Sequence, residues 1–421
     1  MIQAVLVETQ GVGLHLRGKL LHHLSYPLGR DFADLWQQYQ SDRISLTGNQ
    51  LGKLHALLGQ AMLLASNHLL VQNRQEPDRV MAIGYLGPLL WHDPQHGQVT
   101  THDLGMTAVL ADRLGISVVS DFREIDIAGG GQGMPISALA DGLLYRSEKE
   151  HRLLLHLGSM ASMLYLPPGG KAQDLLAAEI VPCNSLLDRA IRQGTAGREK
   201  FDNAGRIAVQ GTCLDSLIAR WQEDPSLQRK PPRSIARKDF GNDFLQHAFQ
   251  LTAQNEGTLQ DLLCTLSHFI VRTIIHACCS WLPVEVTESA RVNQLGSVGD
   301  PPLRTVNSSM TGSAIEKMNV YLSGGGVANG MLLRLLKYYA PGWEFKKLDE
   351  LGFSATARTA TGAAIMAALT LDGVPVSTPS GTGTVGRMLG RITPGHPGNW
   401  AKCLRWMGEH VAEIHFPYRA A

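Results

Sequence analysis

The sequence predicts an α/β protein built as two units. Three observations carry that expectation. At 421 residues the chain is too long for one ordinary core and fits two domains of about 150–200 residues each. Strand-like and helix-like apolar patterns alternate along it, as in layered α/β architectures. A strand–turn–strand opening occurs twice, near residues 3 and 152.

The elements follow in order. "QAVLVET" and "LRGKLLHHLSYP" read as two β-segments joined through the turn "QGVG". In "NQLGKLHALLGQAMLLASNHLLVQN" the apolar residues at 51, 54, 57, 58, 62, 64, 69 and 70 have helical spacing, with Asn49 as the expected N-cap. "RVMAIGYLGPLLWH" reads as a buried strand entering a Gly/Pro loop. "TAVLADRLG" is a short helix closed by Gly115. "ISVVSDF" is a strand whose end carries Asp121 and Arg123, and "AGGGQGMPI" is a flexible loop. "HRLLLHLGSMASMLYLPPGG" opens the second unit, and "LLAAEIV" gives its next strand. "TLQDLLCTLSHFIVRTIIHACC" is a long helix, "NVYLSGGGVANGMLLRLLKYY" a strand, glycine turn and helix, and "ATGAAIMAALTLDGVP" an apolar helix of small residues. Residues 285–317 are rich in Ser, Gly and Pro and read as a loop-rich insertion.

Composition bounds the function. Hydrophobic content of 44% and charged content of 18% describe a chain with ample core. Lys and Arg total 38 against 37 Asp and Glu, so no basic stripe argues for nucleic acid. Cysteines at 183, 213, 264, 278, 279 and 403 form no CxxC pair, and the histidines form no HExxH pattern, so no metal site is expected. A reducing cytoplasm is the expected compartment. The start "MIQAVLVETQ" lacks a basic n-region, and no uncharged apolar run is expected to reach bilayer-spanning length, so no membrane partner is expected.

Two stretches carry candidate chemistry. In "LSGGGVANGMLLRLL" Gly324, Gly325 and Gly326 follow a strand and precede a helix, so a ligand could approach the backbone closely. Asn329 stands near the third glycine of a GxGxxG, so a dinucleotide site is a weak reading, and a ligand-free tight turn competes evenly with a nucleotide site. In "SDFREIDIAGGGQGMPI" Asp121, Arg123 and Asp126 lie beside a glycine loop, where polar residues at strand ends often face ligand; a surface Asp–Arg pair is the simpler reading. GxSxG and the P-loop motif are both absent.

Together these segments resemble the anhydro-N-acetylmuramic acid kinase family. "ISVVSDFREIDIAGGGQGMPI", "MLYLPPGG", "PPRSIARKDFGNDFL", "YLSGGGVANGMLL" and "LDELGF" match family segments in the family's order. The resemblance implies two RNase H-like domains of the actin/sugar-kinase/Hsp70 type with an interdomain cleft for nucleotide and sugar. The expected partition is 1–128 plus about 355–421 in the first domain and about 129–354 in the second. It implies ATP and Mg²⁺ as cofactors and ATP-dependent phosphorylation of 1,6-anhydro-N-acetylmuramic acid during cell-wall recycling. An aspartate activates the water that opens the anhydro bridge, and positioning and electrostatics carry the transfer. Gly158, Asn184, Gly324, Gly325, Gly326 and Asn329 fall at nucleotide-side positions, and Asp121 and Arg123 at sugar-side ones. Family members resemble dimers, so a homodimer is one expected assembly.

The departures from the family are local. Where the family reads GFDTGPGN, this chain reads "AAEIVPCN", with Glu179 in place of the catalytic aspartate and Val181 and Cys183 in place of glycines. A glutamate reaches one methylene further, and misplacement on the order of 1 Å costs roughly a hundredfold in rate. The family's HGQT appears as "LGPL" and its NIGGIAN as "HLGSMAS". The family's opening strand and SGTSLDG motif would lie upstream of Met1. The first sheet is therefore expected to show a vacant central position, or else "QAVLVET" shifted to pair with "RVMAIG". Glu179 is thus a base, the remnant of one, or a strand-end charge. The function is a weak sugar kinase or a non-catalytic pseudokinase that binds nucleotide or muramyl sugar.

Overall fold

Two alternating apolar strands open the first unit: β1 (Ile2–Gln10) and β2 (Arg17–Tyr26), paired antiparallel from Ile2↔Tyr26 to Gln10↔Arg17. The computed structural model describes residues 1–41, 46–93, 100–171, 174–236, 239–283, 318–384 and 386–410. The predicted insertion at 285–317 lies outside them. The chain divides into two compact units, Met1–Tyr145 with Gly352–Ala421, and Arg146–Leu351.

In the first unit α1 (Arg30–Ser41) and α2 (Gly48–Gln72) follow the opening hairpin. Thr47, not Asn49, caps α2: its hydroxyl accepts from Gln50 N, and the Gln50 side chain accepts from Thr47 N. Then come β3 (Ala82–Gly84), β4 (Leu89–Asp93), β5 (Thr100–Asp103), α3 (Ala108–Leu114), β6 (Ser117–Ser120), α4 (Phe122–Ala128) and α5 (Ala138–Tyr145). Gly115 closes α3 at φ +70°, as its sequence predicts.

The second unit contains β7 (Arg152–Leu157), β8 (Met160–Leu166), β9 (Leu176–Pro182), α6 (Asn184–Gly194), α7 (Asp215–Gln222), α8 (Pro225–Gln228), α9 (Asn242–Gln254), α10 (Leu259–Trp281), β10 (Met318–Ser323), α11 (Gly330–Tyr339) and β11 (Trp343–Lys347). The chain then returns to the first unit with α12 (Arg358–Leu371), β12 (Arg391–Thr393) and α13 (Pro397–His410).

The second unit has one five-stranded sheet in the order β11-β10-β7-β8-β9. Its first three strands in sequence pair antiparallel, and β10 and β11 add in parallel. This is the RNase H-like arrangement. Leu153, Leu155, Ile180, Leu186, Phe269, Ile274, Val320 and Leu336 meet in its core.

The first unit is split. Among the described residues β1 pairs with β2 alone, while β12, β6 and β3 form a separate sheet and β4 pairs with β5. "QAVLVET" therefore does not pair with β3. Helix α12 packs on both β1 and β3 instead. At Gly84 a Cβ would lie 2.0 Å from the Ala363 carbonyl oxygen, so the strand and the helix backbone touch.

The unit boundary lies later than the expected residue 128. Helix α5 is bound to α12 through Asp141 and Arg358 (2.9 Å, both buried), and Leu144 lies beside Gly18 of β2. The expectation that no apolar segment reaches spanning length is also corrected. By length and composition α2 and α10 are both long and apolar enough to cross a membrane. In α10 most of that stretch is buried in the second unit's core.

Candidate functional site

Two parallel strands of the second unit, β7 and β10, end side by side, with Ser323 opposite His156. Their imidazole Nδ1 and hydroxyl lie 3.0 Å apart. Beyond these ends the chain turns at Gly158 and at Gly324, where ligands of open α/β sheets commonly sit. Gly324 has φ +86°, and a Cβ there would lie 2.6 Å from the Leu157 carbonyl oxygen. A Cβ on Gly326 would lie 2.6 Å from the Leu157 Cβ. Glycine is thus what lets the two turns close on each other.

Asn184, the first residue of α6, holds the junction from a third side. Its N–H donates to Gly158 O (3.0 Å) and its Nδ2 donates to Leu157 O (3.0 Å). Gly158, Asn184 and Gly324–Gly326 therefore come together. Asn329 ends the same turn but caps α11, its Oδ1 accepting from Met331 N and Leu332 N. Around Gly325 the backbone is open: its Cβ position has no neighbour nearer than Asn184 Nδ2, at 3.6 Å. One turn along α6, burial pushes the Asp188 carboxyl up to about 6, against the opposing charge of Arg192. The spacing of four between Asn184 and Asp188 puts both on one helix face.

Glu179 has a different setting. It stands inside β9, which runs on to Pro182, and it is only 2% exposed. Its N–H donates to Arg233 O (3.2 Å), and its Oε2 accepts from Ile235 N (2.9 Å). Arg233 is itself buried. Its Nε donates to Glu179 O (2.8 Å), and its other nitrogens reach the carbonyls of Ile180, Leu227 and Arg229. The guanidinium lies 4.7 Å from the Trp281 ring centroid. Burial, with the charge of Arg229, pulls its pKa down to about 10. Residues 233–235 thus run along the outer edge of β9, and Glu179 is turned towards them. The segment "PPRSIARKDFGNDFL" was legible as a family match, but nothing in it announced this role for Arg233.

In the first unit Asp121 and Arg123 part company. Asp121 follows β6 with φ +58°; its Oδ2 accepts from the Ser120 hydroxyl (3.1 Å) and faces Arg391 (3.3 Å). Arg123 is buried, its NH1 donating to both oxygens of Asp103 (2.7 and 2.6 Å) and to Gly87 O (3.2 Å). Among the described residues the expected surface pair of Arg123 with its neighbouring Asp is replaced by a buried pair with Asp103, while Asp121 faces Arg391. Burial raises the Asp103 carboxyl while the Arg123 charge lowers it. The Tyr85 hydroxyl donates to Leu104 O beside this pair, and burial raises its pKa.

Asp126 fixes the glycine loop that the sequence read as flexible. Its fully buried carboxylate accepts from the hydroxyls of Thr382 and Thr384 (both 2.7 Å) and from Gly133 N (2.8 Å). A Cβ on Gly131 would lie 2.1 Å from that carboxylate.

Among the described residues no group of three or more His, Cys, Asp or Glu is placed to hold a metal. Mg²⁺ in nucleotide sites commonly uses one or two carboxylates plus phosphate oxygens and waters. Asp188, one turn along α6 from Asn184 and on the same helix face, is a carboxylate of the kind that donor set uses.

Comparison with known proteins bears on all of this. The profile of the anhydro-N-acetylmuramic acid kinase family matches residues 2–290 and 302–395. A protein of that name from Caldanaerobacter subterraneus subsp. tengcongensis is 25% identical over 389 residues, covering 91% of this chain and 90% of its own. One from Streptomyces coelicolor is 31% identical over 311 residues, covering 73% and 70%. Among solved structures, the activator of the 2-hydroxyisocaproyl-CoA dehydratase from Clostridium difficile with bound ADPNP aligns with a TM-score of 0.29 at 12% identity, over 55% of this chain and 64% of that one. With a family profile matched along nearly its whole length, the chain belongs to the anhydro-N-acetylmuramic acid kinase family.

Proposed function

We propose that the second unit binds a nucleotide at its glycine turns, and that the reaction of the chain is slow ATP-dependent phosphorylation of 1,6-anhydro-N-acetylmuramic acid. The observation that carries the nucleotide part is the convergence of Gly158, Asn184 and Gly324–Gly326 beyond two parallel strand ends. Backbone amides there carry no side chain at Gly325 to keep phosphate oxygens away. The sugar comes from the name of the family. Bound Mg²⁺ would neutralise charge developing on the transferred group, and Asp188 is the residue that would hold it.

The residues divide the work. Asn184 ties the start of α6 to the turn after β7, which itself meets Gly324 and Gly326, so the phosphate-side backbone is organised before ligand arrives. Glu179 occupies the position of the activating carboxylate. A base must lie within hydrogen-bond reach of the water it activates. With 2% exposure and Oε2 engaged by Ile235 N, Glu179 is set towards its own backbone partner. That observation favours a second reading, a pseudokinase that binds nucleotide or muramyl sugar without transfer.

Two measurements separate the readings. Calorimetric titration with ATP, ADP and AMP in Mg²⁺ should show binding, and its absence for all three would remove the nucleotide site. A coupled assay on the anhydro-sugar should show very low turnover that Glu179→Gln abolishes. No turnover alongside nucleotide binding selects the pseudokinase. Brisk turnover unchanged in Glu179→Gln would refute the role given to that carboxylate.

A further inference from the structure

We infer, on the nucleotide reading above, that His156 is a phosphate ligand of the glycine-turn site and makes that site select ligands by their phosphate chain. The family's NIGGIAN is "HLGSMAS" in this chain, so His156 and Ser162 stand in place of two asparagines.

Strand pairing sets a polar row across the second unit's sheet. Ser323 of β10 lies opposite His156 of β7, His156 opposite Ser162 of β8, and Ser162 opposite Glu179 of β9. Paired residues project from the same face of a sheet, and their neighbours along each strand project from the other. Leu322, Leu155, Leu157, Ala161 and Met163, which flank the row, all lie in the core. The row therefore faces away from that core. His156 is only half-buried, where Leu155 and Leu157 are each 1% exposed.

The imidazole is fixed between the two turns. Its Nδ1 lies 3.0 Å from the Ser323 hydroxyl oxygen, just before Gly324. A Cβ on Gly158 would lie 2.4 Å from His156 Nε2 and 2.7 Å from its Cδ2. Nε2 thus rests against the backbone of the Gly158 turn, and that position must be glycine to make room for the ring. The same turn accepts Asn184 N at Gly158 O and meets Gly324 through Leu157 O. With the Ser323 hydroxyl donating to Nδ1, the neutral ring carries its proton on Nε2, and the protonated ring carries one there as well. Either form presents an N–H donor at the turn. The protonated form gives a phosphate oxygen a charge-assisted hydrogen bond, which the amide of an asparagine cannot. Adenosine, lacking phosphate, gains nothing from it.

The experiment is calorimetric titration of ADP and of adenosine, at constant Mg²⁺, into the full chain and its His156→Ala and His156→Gln variants. His156→Ala should lower the preference for ADP over adenosine about tenfold, the scale of one charge-assisted hydrogen bond, and leave adenosine affinity unchanged. His156→Gln, whose amide nitrogen reaches close to the Nε2 position, should recover part of the preference. Nuclear magnetic resonance of histidines isotope-labelled at Cε1 gives a readout on the unmodified chain. The His156 resonance, assigned by its loss in His156→Gln, should shift with ADP and not with adenosine. An unchanged preference in His156→Ala, with ADP binding intact, overturns the inference and leaves the nucleotide site standing. An equal loss of ADP and adenosine binding also overturns it, because the imidazole then only shapes the turn. Should His156→Ala fail to fold, the resonance decides: bound ADP that leaves it unmoved overturns the inference. Absence of ADP binding to the unmodified chain overturns the nucleotide site and the inference with it.

Discussion

The two units solve the same architectural problem differently. In the second, a continuous ladder joins five strands, and Leu153, Leu154 and Leu155 of β7 are each 1% exposed or less. In the first, the apolar strand β1 is only half-buried along Ile2–Val7, and its ladder stops at β2. There α12 packs on β1 and β3 and comes closest to the strands at glycines, Gly84 of β3 against Ala363 and Gly18 of β2 against Ile365. The difference teaches that the first unit is held by helix-to-strand contact where the second is held by hydrogen bonding across a sheet. Contacts of that kind depend on the absence of side chains, so single added atoms should hurt them most.

The largest effect is expected in the second unit, where Arg233→Ala leaves several buried carbonyls without their donor. It should cost about 3–5 kcal/mol in denaturant unfolding, the range seen when one buried partner is removed. Arg233→Lys should recover little, because a point charge cannot fork to that many acceptors. Recovery of full stability by lysine would show that charge alone, and not the fork, holds the edge of β9.

Next comes Gly84→Ala. Its Cβ would overlap the Ala363 carbonyl, so the strand or helix must shift, at a cost of about 2–3 kcal/mol. Limited proteolysis should open residues 1–145 before 146–351. Unchanged stability would mean that α12 slides freely and that close helix-to-strand approach does not hold the first unit.

Hydrogen exchange tests the contrast without mutation. Amides of β1 and β3 should exchange at least about tenfold faster than those of β7 and β8, because an interrupted ladder opens locally. Equal protection in both units would contradict it.

The smallest stability effect is expected at Gly325→Ala, within about 0.5 kcal/mol, because the added atom meets only an ordinary contact. Nucleotide binding should nevertheless weaken by about tenfold, since the methyl stands where phosphate would approach. A variant that binds ADP as the unmodified chain does would move the ligand away from this turn.

What the sequence determined by itself was local. Glycine at 115 and at 324 marks left-handed backbone that other residues rarely adopt, so a helix end and a strand-to-helix turn could be placed from the residues alone. Alternation and helical spacing placed the strands of the second unit and the long helices, because those periods are properties of the chain itself. The run of glycines after β10 was legible as residue identity alone, whatever their individual backbone angles. Even the error at Asn49 was local: Thr47 and Gln50 formed a capping box two residues away. What only the tertiary structure decided was orientation by distant partners. Glu179 is turned towards Ile235, 56 residues on, and Arg123 towards Asp103 rather than the neighbouring Asp121. Asp126 closes its loop through hydroxyls more than 250 residues away. A buried polar group takes whichever partner the fold brings within about 3 Å, and its own neighbours in the chain carry no record of that choice.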